Sequence, residues 1–455
     1  MKKHKTHIFK CGFCGHEEPK WLGRCPECGE WNTLAETAVS SAKGLRTGNS
    51  DTPQSIPLAS IDIQEGKRIS SGIAELDRVL GGGIMKQSAI LLGGEPGIGK
   101  STLLLQAASA SVTQGRILYV TGEESASQVK MRADRLGVGS TGSQNCLNRI
   151  ELCCTGRMED ILIILNAVKP VIVIVDSAQT LHTGEAGPAP GTINQMKFCS
   201  YELISWVKEH DAALFLAAHV TKDGFISGPK TLEHMVDTVL YFEQGITGDM
   251  ESGAANDSLR GDCRFLRSVK NRFGSVDEIG IFTMGEKGLT EVADPSMLFL
   301  VRREGNIPAG IATAAVLEGS RTLLVELQAL TVPAKGSISR VFSGSIETNR
   351  VSRIAACLEK HLGLRLSDQD LYVNVAGGIR IKEVGVELAL AAALYSARTG
   401  ISLPAKTAIA GELSLAGEVL PVRRHPVREK TAAGLGYSLF TAEDLKNAIK
   451  GLFGN

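Results

Sequence analysis

The chain has 455 residues, a length that predicts two to four domains and excludes a single small module. Lys plus Arg and Asp plus Glu number 49 each, so the formal net charge is zero: a polycationic coat and an acidic tail protein are both excluded, and any nucleic-acid contact must come from local patches. A hydrophobic fraction of 43% excludes intrinsic disorder, no apolar run reaches the ~18 to 20 residues of a membrane span, and the Lys-rich start (Lys2, Lys3, Lys5) leads into Cys and Gly, so a soluble cytoplasmic protein with no membrane contact is expected.

Four of the ten cysteines fall between Cys11 and Cys28; the other six are scattered, which is not a disulfide framework. Cys11-x-x-Cys14 and Cys25-x-x-Cys28 form two knuckles, each followed by Gly (Gly15, Gly29), and such turns deliver paired sulfurs to one face of a metal. The pattern predicts a closed, structural four-Cys Zn²⁺ module over residues 1–36, although the ten-residue gap is shorter than the usual ribbon spacing. A redox pair, or His7 or His16 in place of a cysteine, is the alternative. About 30 residues could hardly fold without the metal, and Trp21 and Trp31 are expected to pack on the knuckles rather than stack bases. Residues 37–60 are dense in Ser, Thr, Gly and Pro with no sustained apolar period, and read as a flexible linker.

After the linker, short apolar runs (89–92, 117–120, 151–154, 171–175, 213–217) alternate with helical patterns starting at Lys100, Ser125, Met158 and Asn194. This alternation predicts a parallel sheet covered by helices on both faces. Strand-like runs at 238–242, 264–269 and 279–284 follow without long helices, as expected where an α/β core ends in antiparallel strands. Around Pro295 a second unit begins, mixing strands (323–327, 371–374) with helical stretches near 349–361 and 385–397.

Gly94-Glu95-Pro96-Gly97-Ile98-Gly99-Lys100-Ser101 matches G-x-x-x-x-G-K-[ST] between an apolar run and the helical stretch that opens at Lys100. In that setting, backbone N–H groups and the helix N-terminus cradle phosphates, Lys100 neutralises β/γ charge, Ser101 reaches Mg²⁺, and Thr102 completes the ATP-binding stretch. Asp176 ends VIVIVD, where a second Mg²⁺-orienting carboxylate belongs; capping the next segment is its bland alternative. Glu123 and Glu124 close the strand ILYVTGEES. One could align the attacking water, and Glu123 is favoured, with a solvated turn as the alternative. His219 ends LFLAAH and is either a γ-phosphate sensor or a structural histidine. Arg260, Arg264, Arg267, Lys270 and Arg272 share thirteen residues with one acid, Asp262: a solvated strand face in part, with Lys270 or Arg272 able to reach a phosphate of a neighbouring subunit or a nucleic-acid backbone.

Together and in this order, the cysteine knuckles, SGIAELDRVLGGGI at 71–84, the phosphate loop, GPKTLEHMVDTVLYFE at 228–243, KNRFG at 270–274 and a Lon-protease-like tail resemble the bacterial RadA (Sms) family of DNA repair proteins over nearly the whole chain except the linker. The resemblance implies an α/β fold: a RecA-like P-loop ATPase core (61–290), an N-terminal zinc ribbon-like module and a C-terminal α+β Lon-protease-like domain (291–455). It implies a DNA-dependent ATPase, a translocase or helicase on single-stranded DNA that promotes branch migration. ATP, Mg²⁺ and Zn²⁺ are the implied cofactors; single-stranded and branched DNA, a recombinase of the RecA type and further copies in a hexameric ring are the implied partners. By the same resemblance, Lys270 and Arg272 act catalytically across the subunit interface, and residues 181–197 and 221–230 take the positions of two DNA-binding loops.

Lon proteases use a Ser nucleophile activated by a Lys. Setting KEVGVELALAAALYS and GELSLAGEVLPVRRHPVREK against that pattern puts Gly385 at the Ser position and Arg428 at the Lys position, the latter through a two-residue insertion. Gly has no nucleophile and Arg keeps its proton, so peptidase activity is not expected and the tail reads as an assembly scaffold, with Arg423, Arg424 and Lys430 available to a DNA backbone. The rival reading is a KaiC-like signalling ATPase ring that binds protein partners, which the ELDRVLGGG segment and the phosphate loop permit.

Overall fold

The computed structural model describes residues 8–11, 17–18, 21, 23–28, 34–37, 57, 68–138, 147–187, 191–219, 231–245, 263–276, 278–292, 295–301, 303, 307–334, 336 and 339–454. The chain divides into two compact units, Met1–Ile63 and Gln64–Asn455. In the first, β1 (Ile8–Cys11) pairs antiparallel with both β2 (Glu17–Glu18) and β3 (Leu34–Thr37). Cys25 is buried and Cys28 partly so. The Cys11 side chain, Cys14, His7, His16, Trp31 and nearly all of the linker lie outside the described residues. Trp21 keeps 54% of its surface exposed.

The second unit opens with α1 (Ala74–Val79) and builds a sheet whose parallel strands are β4 (Ser88–Gly94), β5 (Ile117–Thr121), β6 (Ile150–Cys153), β7 (Ile172–Asp176), β8 (Ala213–His219) and β9 (Thr238–Gln244). β10 (Cys263–Asn271), β11 (Ile279–Gly285) and β12 (Gly288–Glu291) extend it antiparallel, giving the order β12-β11-β10-β9-β4-β8-β7-β5-β6. Period-2 alternation sorts the central strands: Ile90, Leu92, Tyr119, Ile174 and Phe215 enter one core with α1, α2 (Lys100–Ala110) and α3 (Ala126–Arg135). Ala89, Leu91, Val120, Val173 and Leu214 enter the other with α4 (Met158–Val168) and α5 (Ile193–Glu209). Burial on both faces explains why these strands read as unbroken apolar runs. Ser125 starts α3 with a reciprocal capping box to Gln128.

The C-terminal part is α+β. Its sheet has the order β15-β16-β14-β13-β17-β20, built from β13 (Ile311–Glu318), β14 (Arg321–Pro333), β15 (Val341–Ser343), β16 (Gln369–Val375), β17 (Thr407–Ile409) and β20 (Ser438–Phe440); β18 (Glu412–Leu413) and β19 (Val419–Leu420) pair separately. Helices Thr348–Leu362 and Glu387–Thr399 bury their apolar sides in its core. That core also takes in Cys263, Phe265, Ile279 and Ile281 from β10 and β11, with the Phe265 and Phe299 rings stacked at 6.1 Å. Polar ties flank the seam. Arg321 pairs with the buried Glu75 of α1 at 3.0 Å, and Arg267 pairs with Glu318 at 3.0 Å and Glu243 at 3.4 Å.

These ties correct part of the basic-cluster reading. Arg264 and Arg267 are neither a solvated face nor open to nucleic acid: Arg264 is 8% exposed, and Arg267 is spent on the ion pairs beneath the C-terminal sheet. Arg260 lies outside the described residues. No helix among the described residues is long and apolar enough to cross a membrane.

Candidate active site

β4 runs into Gly94, the chain turns in the open through Glu95, Pro96 and Gly97, and Ile98 then plugs back into the core before Lys100 begins α2. Two glycines carry the turn, Gly97 at φ 78° and Gly99 at φ 114°. A Cβ on Gly99 would come within 2.6 Å of Met284 Cε, and one on Gly94 within 2.8 Å of the Phe242 carbonyl oxygen. The loop is thus pressed against β9 and β11, leaving its other side open at the N-terminus of an eleven-residue helix, where orphan N–H groups and the helix dipole favour phosphate. Ser101 and Thr102 follow, half-buried on the first turn.

Lys100 is 4% exposed and donates Nζ hydrogen bonds to the carbonyls of Gly94 (2.8 Å) and Glu95 (2.9 Å). His219 ends β8 with Nδ1 3.2 Å from Lys100 Nζ and Nε2 3.9 Å from Glu123 Oε1. Asp176 ends β7 beside Thr121 of β5, and Glu123 lies two residues beyond Thr121. Each carboxylate is held by one hydroxyl: Tyr119 donates to Asp176 Oδ2 at 2.7 Å, and Ser177 donates to Glu123 Oε1 at 2.7 Å. Glu124 instead forms an ion pair with Arg132 of α3. The turn after Asp176, Ala178–Thr180, has Ser177 at its N-cap, so Asp176 is spared that role. Lys100, Glu123, Asp176 and His219 therefore converge at the C-terminal ends of neighbouring strands. Tyr119 and Ser177 match no sequence motif; strand register alone brings them in.

Burial pushes the Lys100 ammonium down to about 8, partly opposed by Asp176, Glu123 and Glu95. His219 is likewise lowered, by burial first and then by Lys100. Below pH 8 Lys100 is charged before a polyphosphate arrives; above it, binding must recruit the proton. Calorimetric titration of nucleotide in two buffers of different ionisation enthalpy should show uptake of about one proton above pH 8, with affinity falling up to about tenfold per pH unit. Buffer-independent heats there would refute the assignment of this titration to Lys100.

Lys270 and Arg272 lie elsewhere. Lys270 Nζ donates to the carbonyls of Glu233 and Val236 at 2.8 Å each, closing the end of α6 (Thr231–Met235), and Arg272 pairs with the buried Asp237 at 3.0 Å. Burial and then Arg272 hold the Lys270 ammonium below its ordinary value. Thr238 is in register with both Asn271 and Ile90, so this turn sits at the start of β4 while the phosphate loop leaves its end. Four residues of strand, roughly 13 Å, separate them. The fold does not bring Lys270 or Arg272 to Lys100 of the same chain. What the KNRFG turn touches is the 71–84 segment: Asn271 Nδ2 donates to the Val79 carbonyl at 3.3 Å, and Arg68 donates to the carbonyls of Leu80, Gly83 and Phe273.

Comparison with known proteins matches this arrangement. Residues 57–224 match the AAA domain model and residues 9–36 the rubredoxin metal binding domain model. The DNA repair protein RadA of Treponema pallidum is 54% identical over 441 residues, covering 96% of this chain and 92% of that protein. The chain belongs to the RadA family of DNA repair proteins. The RadA proteins of Brucella abortus (44% over 445 residues, 95% of this chain and 91% of that protein) and Bacillus subtilis (42% over 443 residues, 96% and 92%) are similar over the same span.

In this RadA-family chain the donors fit the implied metals by chemistry. The Ser101 hydroxyl and Asp176 carboxylate are hard oxygens suited to Mg²⁺, and the four cysteines of the N-terminal unit are soft ligands suited to Zn²⁺. Of the two segments compared with DNA-binding loops, residues 221–230 lie outside the described residues. In 181–197, Leu181, Thr183, Gln195 and Met196 are buried; Gln195 Nε2 donates to the Thr183 and Gly187 carbonyls, and Thr183 Oγ1 donates to Glu159. Among the described residues of this segment, only 184, 185, 187 and 191–194 are exposed, with Lys197 half-buried beside them.

In the C-terminal part of this RadA relative, Gly385 and Arg428 do meet, through a residue the sequence reading missed. Arg428 is fully buried and forks onto Glu383 (2.7 Å and 3.2 Å), whose oxygens also accept the backbone N–H of Gly385 (3.1 Å) and Leu317 (3.2 Å). A Cβ on Gly385 would lie 2.5 Å from Glu383 Oε1. An ion pair fills this space. Arg423, Arg424 and Lys430 remain exposed.

Proposed function

We propose that the chain is a DNA-dependent ATPase that moves on single-stranded DNA and promotes branch migration of recombination intermediates, working as a ring of its own copies beside a RecA-type recombinase. The observation that carries the reading is the convergence of Lys100, Asp176, Glu123 and His219 at one strand edge, in a chain of the RadA family. Lys100 neutralises the β/γ-phosphates held by residues 94–102, and Glu123, fixed by Ser177, aligns the attacking water. Ser101 and Asp176 would hold Mg²⁺, which would supply charge neutralisation on the transferring phosphoryl group. His219 senses the γ-phosphate from between Lys100 and Glu123 and passes its state to residues 220–230. Asp176 leads through the turn Ala178–Thr180 toward the exposed residues 184, 185, 187 and 191–194. Both proposed DNA-facing segments thus start from strand ends that touch the nucleotide site.

Lys270 and Arg272 sit at the other end of the strands, too far for their own chain's nucleotide, which supports reading them as acting on a neighbour's in a ring. The four-Cys module and the C-terminal part are read as a closed structural zinc site and an assembly scaffold without peptidase activity.

The test is the ATPase rate with and without a single-stranded oligonucleotide, at low salt, for wild type and Lys270→Ala. Wild type should be stimulated several-fold; Lys270→Ala should bind nucleotide normally yet lose the stimulation. A wild-type rate indifferent to DNA, in a protein that instead recovers protein partners, would favour the signalling-ring reading.

A further inference from the structure

Tyr119 lies in the middle of β5 and is fully buried, its ring packed in the core shared with α1, α2 and α3. Phe would fill that volume without a polar atom to satisfy. Tyr119 and Thr121 share one face of the sheet with Ile174 and Asp176 of β7, since side chains alternate and Tyr119 is in register with Ile174, Thr121 with Asp176. The phenol therefore reaches along the strand toward the site from beneath, and its one hydrogen bond among the described residues goes to Asp176 Oδ2 at 2.7 Å. A phenol is protonated at working pH, so in this pair the hydroxyl is the donor and the carboxylate the acceptor.

The consequence concerns Lys100. Asp176 ends β7, next to the end of β8 from which His219 meets Lys100, yet the Lys100 bonds go to the Gly94 and Glu95 carbonyls and to His219. A carboxylate at a neighbouring strand end is drawn toward an ammonium as a direct ion pair unless something else holds it, and such a pair would compete with an incoming phosphate. We propose that Tyr119 is a positioning residue: its hydroxyl ties one oxygen of Asp176, keeps the carboxylate off Lys100, and leaves the other oxygen for a cation–nucleotide complex. This rests on the ATPase reading above.

The experiment is equilibrium binding of a fluorescent, non-hydrolysable ATP analogue titrated with Mg²⁺, for wild type, Tyr119→Phe, Asp176→Asn and the double variant. Wild-type affinity should rise with Mg²⁺, and Asp176→Asn should lose most of that response. Tyr119→Phe should need about tenfold more Mg²⁺ for half the response, as for other residues that orient a metal ligand, and should bind the analogue more weakly in the absence of Mg²⁺, where the freed carboxylate competes for Lys100. Tyr119→Phe titrating like wild type, while Asp176→Asn loses the response, overturns the positioning role and leaves the ATPase reading standing. Asp176→Asn responding like wild type overturns the reading of Asp176 itself. A Mg²⁺-free loss in Tyr119→Phe that persists in the Tyr119→Phe, Asp176→Asn double variant also overturns the proposal, because the hydroxyl would then be supporting the fold of the site rather than holding the carboxylate.

Discussion

Replacing Lys100 by Ala should lower ATP turnover by on the order of 10³-fold or more, the scale on which single charge-stabilising donors act in a water-poor site. Lys100 is the cation at the phosphate loop, 4% exposed, and its Nζ is already aimed along the Gly94–Glu95 carbonyls. No other cation in the described site can take its place: His219 is held toward the neutral form by burial and by Lys100 itself. The same burial makes the charged lysine costly to the fold, since it holds the ammonium down to about 8. Lys100→Ala should therefore unfold at a temperature no lower than wild type, separating chemistry from stability. Phosphate release and a thermal melt measured on one preparation test both halves, and a variant retaining more than a tenth of wild-type turnover would sink the assignment.

The second large effect belongs to the C-terminal part. Glu383→Ala should destabilise it by about 3–5 kcal/mol in urea unfolding, because it strands a fully buried guanidinium and removes the acceptor of the Gly385 and Leu317 N–H groups. Replacing the pair together, Glu383→Leu with Arg428→Met, should cost far less, since no charge is left unpaired. The pair of substitutions that would restore a Ser and a Lys, Gly385→Ser with Arg428→Lys, should yield no casein hydrolysis. Glu383 stands 2.5 Å from where the serine Cβ would sit, and a lysine beside that carboxylate would stay protonated. Casein cleavage by that variant, or wild-type stability in Glu383→Ala, would overturn this account.

Much of the nucleotide site was legible in the residues because the chemistry is local. A phosphate loop needs its glycines and lysine at set spacing, and an apolar run that ends in Asp176 marks a strand end. The preference for Glu123 over Glu124 rested on position alone; the fold sets Glu123 near His219 and ties Glu124 to Arg132, eight residues further on. The basic cluster was misread in part because a strand facing a second sheet looks, in one dimension, like a strand facing water; Arg267 is hidden by Glu318, fifty-one residues away.

Sequence alone determined the element order, the alternation that dictates a two-faced sheet, the phosphate loop and the cysteine spacing, since each depends on residues within a turn or a strand of one another. Tertiary structure decided what long-range register brings together: the Tyr119 and Ser177 hydroxyls under the two carboxylates, the docking of the KNRFG turn on the 71–84 segment, the shared core of the two sheets, and Glu383 between Gly385 and Arg428. Such partners are chosen by strand order and side-chain reach across a packed interior, and no periodicity in the chain encodes them.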